Sequence, residues 1–356
     1  MKKTIISLAV AAGMAVSSAA FAEATVYGQL HLSILSFDKD DGTGAGLTNP
    51  ILTSNTSAVG VKGSEDLGDG MKAFYKAEFQ LDAAAGGSAD TVTDFDCTVD
   101  ATSASTTEPV DCTVTGTSSD GNALTQRDVY AGIKGGMGTV KFGTMSSNYK
   151  QKGGSVDALY RTPAEGRGFI HTQSKLHGGR DINRGRMTNA IQYSSPKMGG
   201  MQLVVNTTLS DNEDETMGVG FRYEAKSFSV FADYIDTAPS GGSSINKTET
   251  ATKLGAKFAT GAFFVGAQFE SAEDVVGYNY VHVNGGYAID ANNVVVLTYG
   301  TASHITNSLA DTAGMALAYD HKMSKNTDVY VAYVDKSSDT ASVEDSALAA
   351  GIRVKF

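Results

Sequence analysis

From residue 24 to its last strand-like run the chain is built of short stretches in which polar and apolar residues alternate. In 71–81, Ala73, Tyr75, Ala77, Phe79 and Leu81 share one face, while Lys72, Phe74, Lys76, Glu78 and Gln80 share the other. In 26–34, Val26, Leu30, Leu32 and Ile34 oppose Tyr27, Gln29, His31 and Ser33. In 57–63, Val59 and Val61 oppose Ala58, Gly60 and Lys62. A period of two describes a strand with unlike faces. The pattern recurs from end to end without a linker, and no later run of 18 apolar residues offers a membrane-spanning helix. The chain is therefore either a soluble β-protein or one that crosses a membrane as strands.

Punctuation divides it into sixteen strands, with expected spans 24–37, 56–63, 71–81, 125–134, 138–145, 187–195, 200–209, 216–226, 227–236, 250–259, 261–270, 276–287, 293–302, 313–321, 327–336 and 346–356. Their lengths are close to the roughly 9–11 residues that a tilted strand needs to cross a bilayer. The five prolines, Pro50, Pro109, Pro163, Pro196 and Pro239, all fall between strands, as the missing N–H requires. Connections alternate between short and long. Ser64–Gly70, Gly135–Met137, Pro196–Gly199, Ala288–Asn292 and Lys322–Asn326 are short and mostly rich in turn residues. The stretches 38–55, 82–124, 146–186, 237–249, 303–312 and 337–345 are longer and polar. Tight turns on one rim and long loops on the other describe a membrane barrel, and no helix is available to cover the apolar faces of a soluble one. The chain has no Trp, so Tyr193, Tyr223, Tyr287, Tyr319 and Tyr330 are the candidates for interfacial girdles.

Met1-Lys2-Lys3, a short apolar stretch from Ile5 to Ala15, and Ala20-Phe21-Ala22 have the order of a cleavable export signal, so the expected division is 1–22 leader and 23–356 barrel. Loss of Lys2 and Lys3 takes the net charge from −11 to −13. Cys97 and Cys112 both lie in the second long loop, and export to an oxidising compartment favours a disulfide between them. Nothing pairs a nucleophile with a base: the six histidines are scattered, and no Gly-x-Ser-x-Gly elbow or phosphate-cradling loop is present. Catalytic, cofactor-binding, metal-binding and nucleic-acid-binding roles are not expected.

The terminal run Ala347–Phe356 alternates up to a final aromatic, which resembles the signal by which Gram-negative bacteria recognise outer-membrane β-barrels. Three internal runs, Val59–Ala73, Tyr130–Gly143 and Asn189–Pro196, resemble strands two and three, strands four and five, and strand six with its turn in the general trimeric porins. That resemblance covers essentially the whole chain. It implies an all-β fold, a 16-stranded antiparallel transmembrane barrel with short periplasmic turns, long extracellular loops and a third loop folded into the lumen. It also implies a homotrimer in contact with outer-membrane lipid and lipopolysaccharide, which passes ions and small hydrophilic solutes.

The resemblance further points to a constriction. Asp157 and Glu165 are the acidic candidates on the third loop (146–186), and Arg127 matches a member of the basic wall. By alternation Lys62, Lys76 and Glu78 face the lumen and join them. Relatives often carry an arginine where this chain has Ala58, and the third loop itself is basic, with Lys150, Lys152, Arg161, Arg167, Lys175, Arg180, Arg184 and Arg186. Opposed charges across a narrow aqueous gap would order water, penalise apolar solutes and set ion preference. Two other readings stay open: a channel preferring anions or phosphorylated solutes, and a surface adhesin or receptor barrel that conducts little. Asp128 and Tyr130 are expected on the outer face of the fourth strand, where a polar group would suit a neighbouring protomer better than lipid.

Overall fold

The computed structural model describes residues 24–40, 50–84, 95–98, 111–114, 124–177, 186–209, 215–237, 250–304, 310–339 and 344–356. The expected leader, 1–22, lies outside them.

The strands are β1 (Thr25–Asp40), β2 (Ile51–Ser54), β3 (Ala58–Gly68), β4 (Met71–Leu81), β5 (Phe95–Thr98) and β6 (Asp111–Val114), then β7 (Leu124–Gly135), β8 (Gly138–Met145), β9 (Met187–Ser194) and β10 (Met201–Thr208). They continue as β11 (Met217–Glu224), β12 (Phe228–Asp236), β13 (Thr250–Thr260), β14 (Phe263–Ala272), β15 (Tyr278–Ala288), β16 (Asn293–His304), β17 (Thr312–Lys322), β18 (Thr327–Ser338) and β19 (Glu344–Lys355). Two helices are described, α1 (Asn148–Val156) in the third loop and α2 (Glu273–Val276).

Each strand of the large sheet pairs antiparallel with its neighbour, and β1 meets β19 in a register running from Gln29↔Lys355 to Asp40↔Glu344. That seam closes the barrel. The short β2 and the longer β3 both run along β1, at Leu32–Leu35 and Thr25–Gln29 respectively, so together they form one interrupted stave. The staves then number sixteen. The terminal residue takes part in the seam: Gly28 N–H donates to the Phe356 carbonyl at 2.9 Å, and Phe356 N–H returns the bond at 3.1 Å. Gly28 must lack a side chain there, because a Cβ would sit 2.7 Å from the Ala58 carbonyl oxygen as well as 2.5 Å from the Phe356 ring.

Burial is inverted relative to a soluble protein. Leu297 and Tyr299 on β16 are 56% and 55% exposed, while Thr298 between them is fully buried. The inward positions include His31, Gln192, Asn206, Arg222, Lys253, Glu270, His282 and Asn284, all buried; the outward ones include Leu254, Val265, Phe269, Leu317, Val331 and Leu348, all exposed. A continuous apolar exterior around a polar interior is the arrangement that hydrocarbon outside and water inside select.

Several expected details change. Ser64–Gly70 is not a loop: β3 continues to Gly68 and the turn is Asp69-Gly70, entered through an irregularity between Asp66 and Gly68. Asp69 and Gly70 adopt φ of 51° and 75°, the left-handed conformation that this tight turn needs. Tyr330 is not in a girdle. It shares the inward face with Asp328 and Ala332, is 5% exposed, and its hydroxyl meets His31 Nε2 at 2.9 Å. Tyr193, Tyr287 and Tyr319 do face outward. The second loop contains its own ribbon, β5 with β6, in which Cys97 stands directly opposite Cys112.

Candidate functional site

One side of the lumen wall carries a compact charge cluster on β3, β4 and β7. Glu78 accepts from Arg127 Nε at 2.8 Å and from the Tyr27 hydroxyl at 2.9 Å, and pairs with Lys76 Nζ at 3.0 Å. Lys76 also reaches Asp128 Oδ2 at 3.0 Å, and Arg186 reaches Asp128 Oδ1 at 2.5 Å. Arg127 extends to Gln80 at 3.0 Å, and Lys62 lies over the Tyr27 ring, 5.1 Å from its centroid. Four of the expected residues, Lys62, Lys76, Glu78 and Arg127, are thus neighbours.

Asp128 joins them against expectation. The β4–β7 register slips between Ala77↔Val129 and Phe79↔Gln126, so Arg127 and Asp128 both stand opposite Glu78. Such a bulge aims two consecutive side chains to the same side. Tyr130 follows in the shifted register, opposite Lys76, with Lys141 over its ring at 5.1 Å. Both residues face the lumen, and neither marks an outer contact face. Strict alternation cannot reveal this, since one inserted residue reverses the parity of everything after it.

The third loop enters the barrel from the end of β8. Ser147 caps α1, its hydroxyl accepting from Lys150 N–H at 3.1 Å while donating to the His177 carbonyl at 2.6 Å. The buried side of α1, Asn148, Tyr149, Gly153 and Val156, lies against β10–β14. Beyond it Leu159, Ala164 and Ile170 pack on the inward Val296, Ala316, Ala318, Ala332, Val334, Ala347 and Ala349, together with Leu35 and Phe37. The loop is therefore attached twice, by polar contacts and then by apolar ones.

The polar attachment rests on a row of charges across adjacent strands. Asp233 is paired in register with Lys253, and Lys253 with Glu270. Arg222 Nη2 reaches Asp233 Oδ1 at 2.6 Å and donates to the Asn148 carbonyl at 3.0 Å, and Asn148 Nδ2 donates to the same Asp233 oxygen at 2.9 Å. Glu270 accepts from the Tyr149 hydroxyl at 2.7 Å and from both the backbone N–H and the hydroxyl of Ser174, and Lys253 stands 3.5 Å away. These four wall residues were not singled out in the sequence. Their signal is there: each occupies an inward parity position, and aligning neighbouring hairpins puts the opposite charges side by side.

Asp157 and Glu165 are in the loop, but their carboxylates turn back into it. Asp157 accepts from the Leu159 and Gly166 amides at 2.9 and 2.8 Å, and Glu165 accepts from the Arg161 amide at 2.7 Å. Burial pushes the Asp157 carboxyl up to about 6 against the pull of those amides, and it raises Glu165 as well. Lys150 contrasts with them. Among the described residues no carboxylate pairs with its ammonium, which burial and the charges of Arg186, Arg167 and Arg127 hold down to about 6. Arg161 and Arg167 both stand over the Tyr160 ring, at 5.4 and 5.3 Å. Lys150, Arg161 and Arg186 thus stand near enough to Arg127 for their charges to interact, with Glu78 and Asp128 partly compensating them.

Comparisons with known proteins agree with this geometry. A family model described as Gram-negative porin matches residues 8–341. The major outer membrane protein P.IB of Neisseria gonorrhoeae is 26% identical over 256 residues, 70% of this chain and 60% of that protein. An outer membrane porin protein of Bordetella pertussis is 26% identical over 240 residues, 62% of this chain and 52% of that protein. The chain thus spans about 60% or less of the length of these curated relatives. Among solved structures, an anion-selective porin from Comamonas acidovorans superimposes with a TM-score of 0.71 at 19% identity, covering 94% of this chain and all of that one. Salmonella typhi OmpF in complex with daunomycin gives 0.67 at 14%, covering 94% and 98%, and a trimer form of OmpT from Vibrio cholerae gives 0.61 at 13%, covering 94% and 99%.

Proposed function

Because the chain belongs to the Gram-negative porin family, we propose that it forms a water-filled outer-membrane channel through which ions and small hydrophilic solutes diffuse passively. The observation that carries this is the inverted barrel: an unbroken apolar exterior around a charged interior into which the third loop is folded. Such a channel does no covalent chemistry. Its selectivity comes from the width of the gap and the charges beside it. Residues 1–22 would act as the export leader and the rest as the barrel. The opposed positions of Cys97 and Cys112 support a disulfide tying the second loop, since directly opposed residues on an antiparallel ribbon lie at about 4.5–5.5 Å between Cα atoms, within the bridging range.

Lys62, Lys76, Glu78 and Arg127 on the wall, and the loop that carries Asp157 and Glu165, form the constriction in this reading. The two acids hold the loop's shape, Arg161 and Arg167 supply its charge at neutral pH, and Lys150 adds to it as the pH falls through about 6. That arrangement favours a second reading within the first, a preference for anions that strengthens as pH falls, because both loop acids are turned inward and Lys150, once protonated, has no acid partner among the described residues. Homotrimers embedded in lipid and lipopolysaccharide fit the outer surface. There β3, β4 and β7 present Val59, Val61, Ala73, Ala77, Val129 and Ala131 together with Tyr75 and Ile133, an apolar face that another protomer could cover in place of lipid.

The test is planar-bilayer conductance of refolded protein with the reversal potential read under a salt gradient. Steps closing in threes with an anion-selective potential are expected. Silent bilayers from folded, heat-modifiable protein would remove the channel reading and leave a barrel that only presents its loops.

A further inference from the structure

Inward glycines of the barrel fall into two groups by what covers them. Towards the turn-bearing rim the cover is a side chain: the Phe264 ring over Gly286 and the Tyr330 ring over Gly351. Higher on the wall the cover is the third loop itself. A Cβ built on Gly314 of β17 would strike the Ile170 carbonyl oxygen and lie 2.8 Å from both its carbonyl carbon and its Cβ. One built on Gly266 of β14 would lie 2.5 Å from the Val156 carbonyl oxygen. On Gly218 of β11 it would meet the Asn148 side chain, and on Gly300 of β16 it would lie 2.7 Å from Thr172 Cβ as well as striking the neighbouring strand. From β11 to β17 the loop is thus seated against bare wall backbone.

We propose that Gly266 and Gly314 are size-determining positions of the channel: their missing side chains let the third loop sink into the wall, and so set how far it projects into the water path. The inference rests on the reading of that loop as the constriction. Its physical basis is which partner can yield. The wall strands are hydrogen-bonded on both sides, β14 to β13 and β15, β17 to β16 and β18. The loop is held by side-chain contacts. Carbon atoms settle at about 3.5–4.0 Å, so a methyl at Gly314 requires the Ile170 backbone to retreat by about 1 Å, and the open direction is the lumen. A glycine covered by a ring lacks this property, because the ring can rotate aside.

The test compares refolded Gly314→Ala, Gly314→Val and Gly266→Ala with wild type and with Gly351→Ala. Folding is checked by heat-modifiability on gels. The readouts are single-channel conductance in KCl and liposome swelling rates with saccharides from mono- to tetrasaccharide. The seat variants are expected to lose conductance and to discriminate more steeply against the larger sugars, more so for Val than Ala at position 314, while Gly351→Ala keeps the wild-type profile. Folded Gly314→Val or Gly266→Ala with wild-type conductance and swelling would overturn the proposal. Should Gly314→Val fail to fold, the two alanine variants decide. Lys150→Trp, which adds bulk to the loop without touching the seat, separates the two layers of the argument. If it also leaves conductance unchanged, the loop is not the narrow zone and the underlying reading falls. If it lowers conductance while the glycine variants do not, the seat alone is wrong.

Discussion

The loop's polar attachment can be tested at the Arg222–Asp233 pair. Both side chains are out of solvent, at 3% and 0% exposure, with Nη2 and Oδ1 2.6 Å apart. In Asp233→Ala the guanidinium stays buried with carbonyl acceptors alone, those of Asn148, Phe221 and Ala232. In Arg222→Ala the carboxylate keeps one donor, Asn148 Nδ2, and its Oδ2 has no partner among the described residues even in the intact protein. Removing one member of a buried pair costs about 3–5 kcal/mol, because the other charge is left without compensation. Removing both eliminates that penalty, so the double variant should be destabilised by less than the sum of the singles, with a coupling of about 1–3 kcal/mol. The chain has no Trp, so urea midpoints are best followed by the fraction of heat-modifiable band in gels. Single-channel noise reports in parallel whether the loop has come loose. Losses that add to within about 0.5 kcal/mol would show that the two groups do not depend on each other, and the loop would then need another anchor.

Three further outcomes follow from the site. Lys150 is held at about 6, so its charge is present below that pH and lost above it; anion preference should strengthen as pH falls from 7 to 5, and Lys150→Met should reduce that step in the reversal potential, the remainder coming from Asp157, which takes up its proton over the same range. Glu78→Gln keeps the volume but removes the carboxylate shared by Lys76 and Arg127, so the potential should move toward anions, with a loss of stability of about 1–3 kcal/mol on urea titration. If Cys97 and Cys112 are bridged, native protein should show no reactive thiol before reduction and two after. Cys97→Ser should leave barrel stability within about 0.5 kcal/mol of wild type, since the ribbon of β5 and β6 pairs with no barrel strand.

Barrel topology was legible because it depends on period and punctuation. Every stave of the structure has a counterpart among the sixteen expected strands, and the errors lie at ends: β3 runs to Gly68, and its stave begins at Ile51. Lumen assignments for Lys76 and Glu78 follow from the same alternation. Asp128 and Tyr130 escaped it because a bulge is a property of two paired strands, and β7 alone does not announce it. The acids of the third loop escaped for another reason. Asp157 and Glu165 were placed in the correct loop, but whether a carboxylate meets water or a backbone amide depends on a fold the loop acquires only against the wall. The anchor of Arg222, Asp233, Lys253 and Glu270 required comparing four strands at once.

The net charge of −13 carried by residues 23–356 says little about what passes through. Charges further apart than the Debye length, about 8 Å at physiological salt, are screened from one another, so acids on loops and turns contribute weakly to the potential in the gap. The groups that matter are those beside the water path, where low-dielectric walls concentrate the field. There Glu78 is shared by Lys76 and Arg127, Asp128 is bonded by the same Lys76 and by Arg186, and Asp157 and Glu165 are occupied by backbone amides. Lys150 has no acid partner among the described residues, and Arg161 and Arg167 stand over the Tyr160 ring, where the charges of the loop's own Asp157 and Glu165 act on Arg167 without a direct ion pair. In the proposed constriction an acidic protein thus carries a basic patch. The reversal potential of Lys150→Glu would then shift toward cations by far more than one added charge on the turn-bearing rim, such as Asn326→Asp in the β17–β18 turn, could produce; equal shifts from the two would mean that the whole-chain charge, and not the local cluster, sets ion preference.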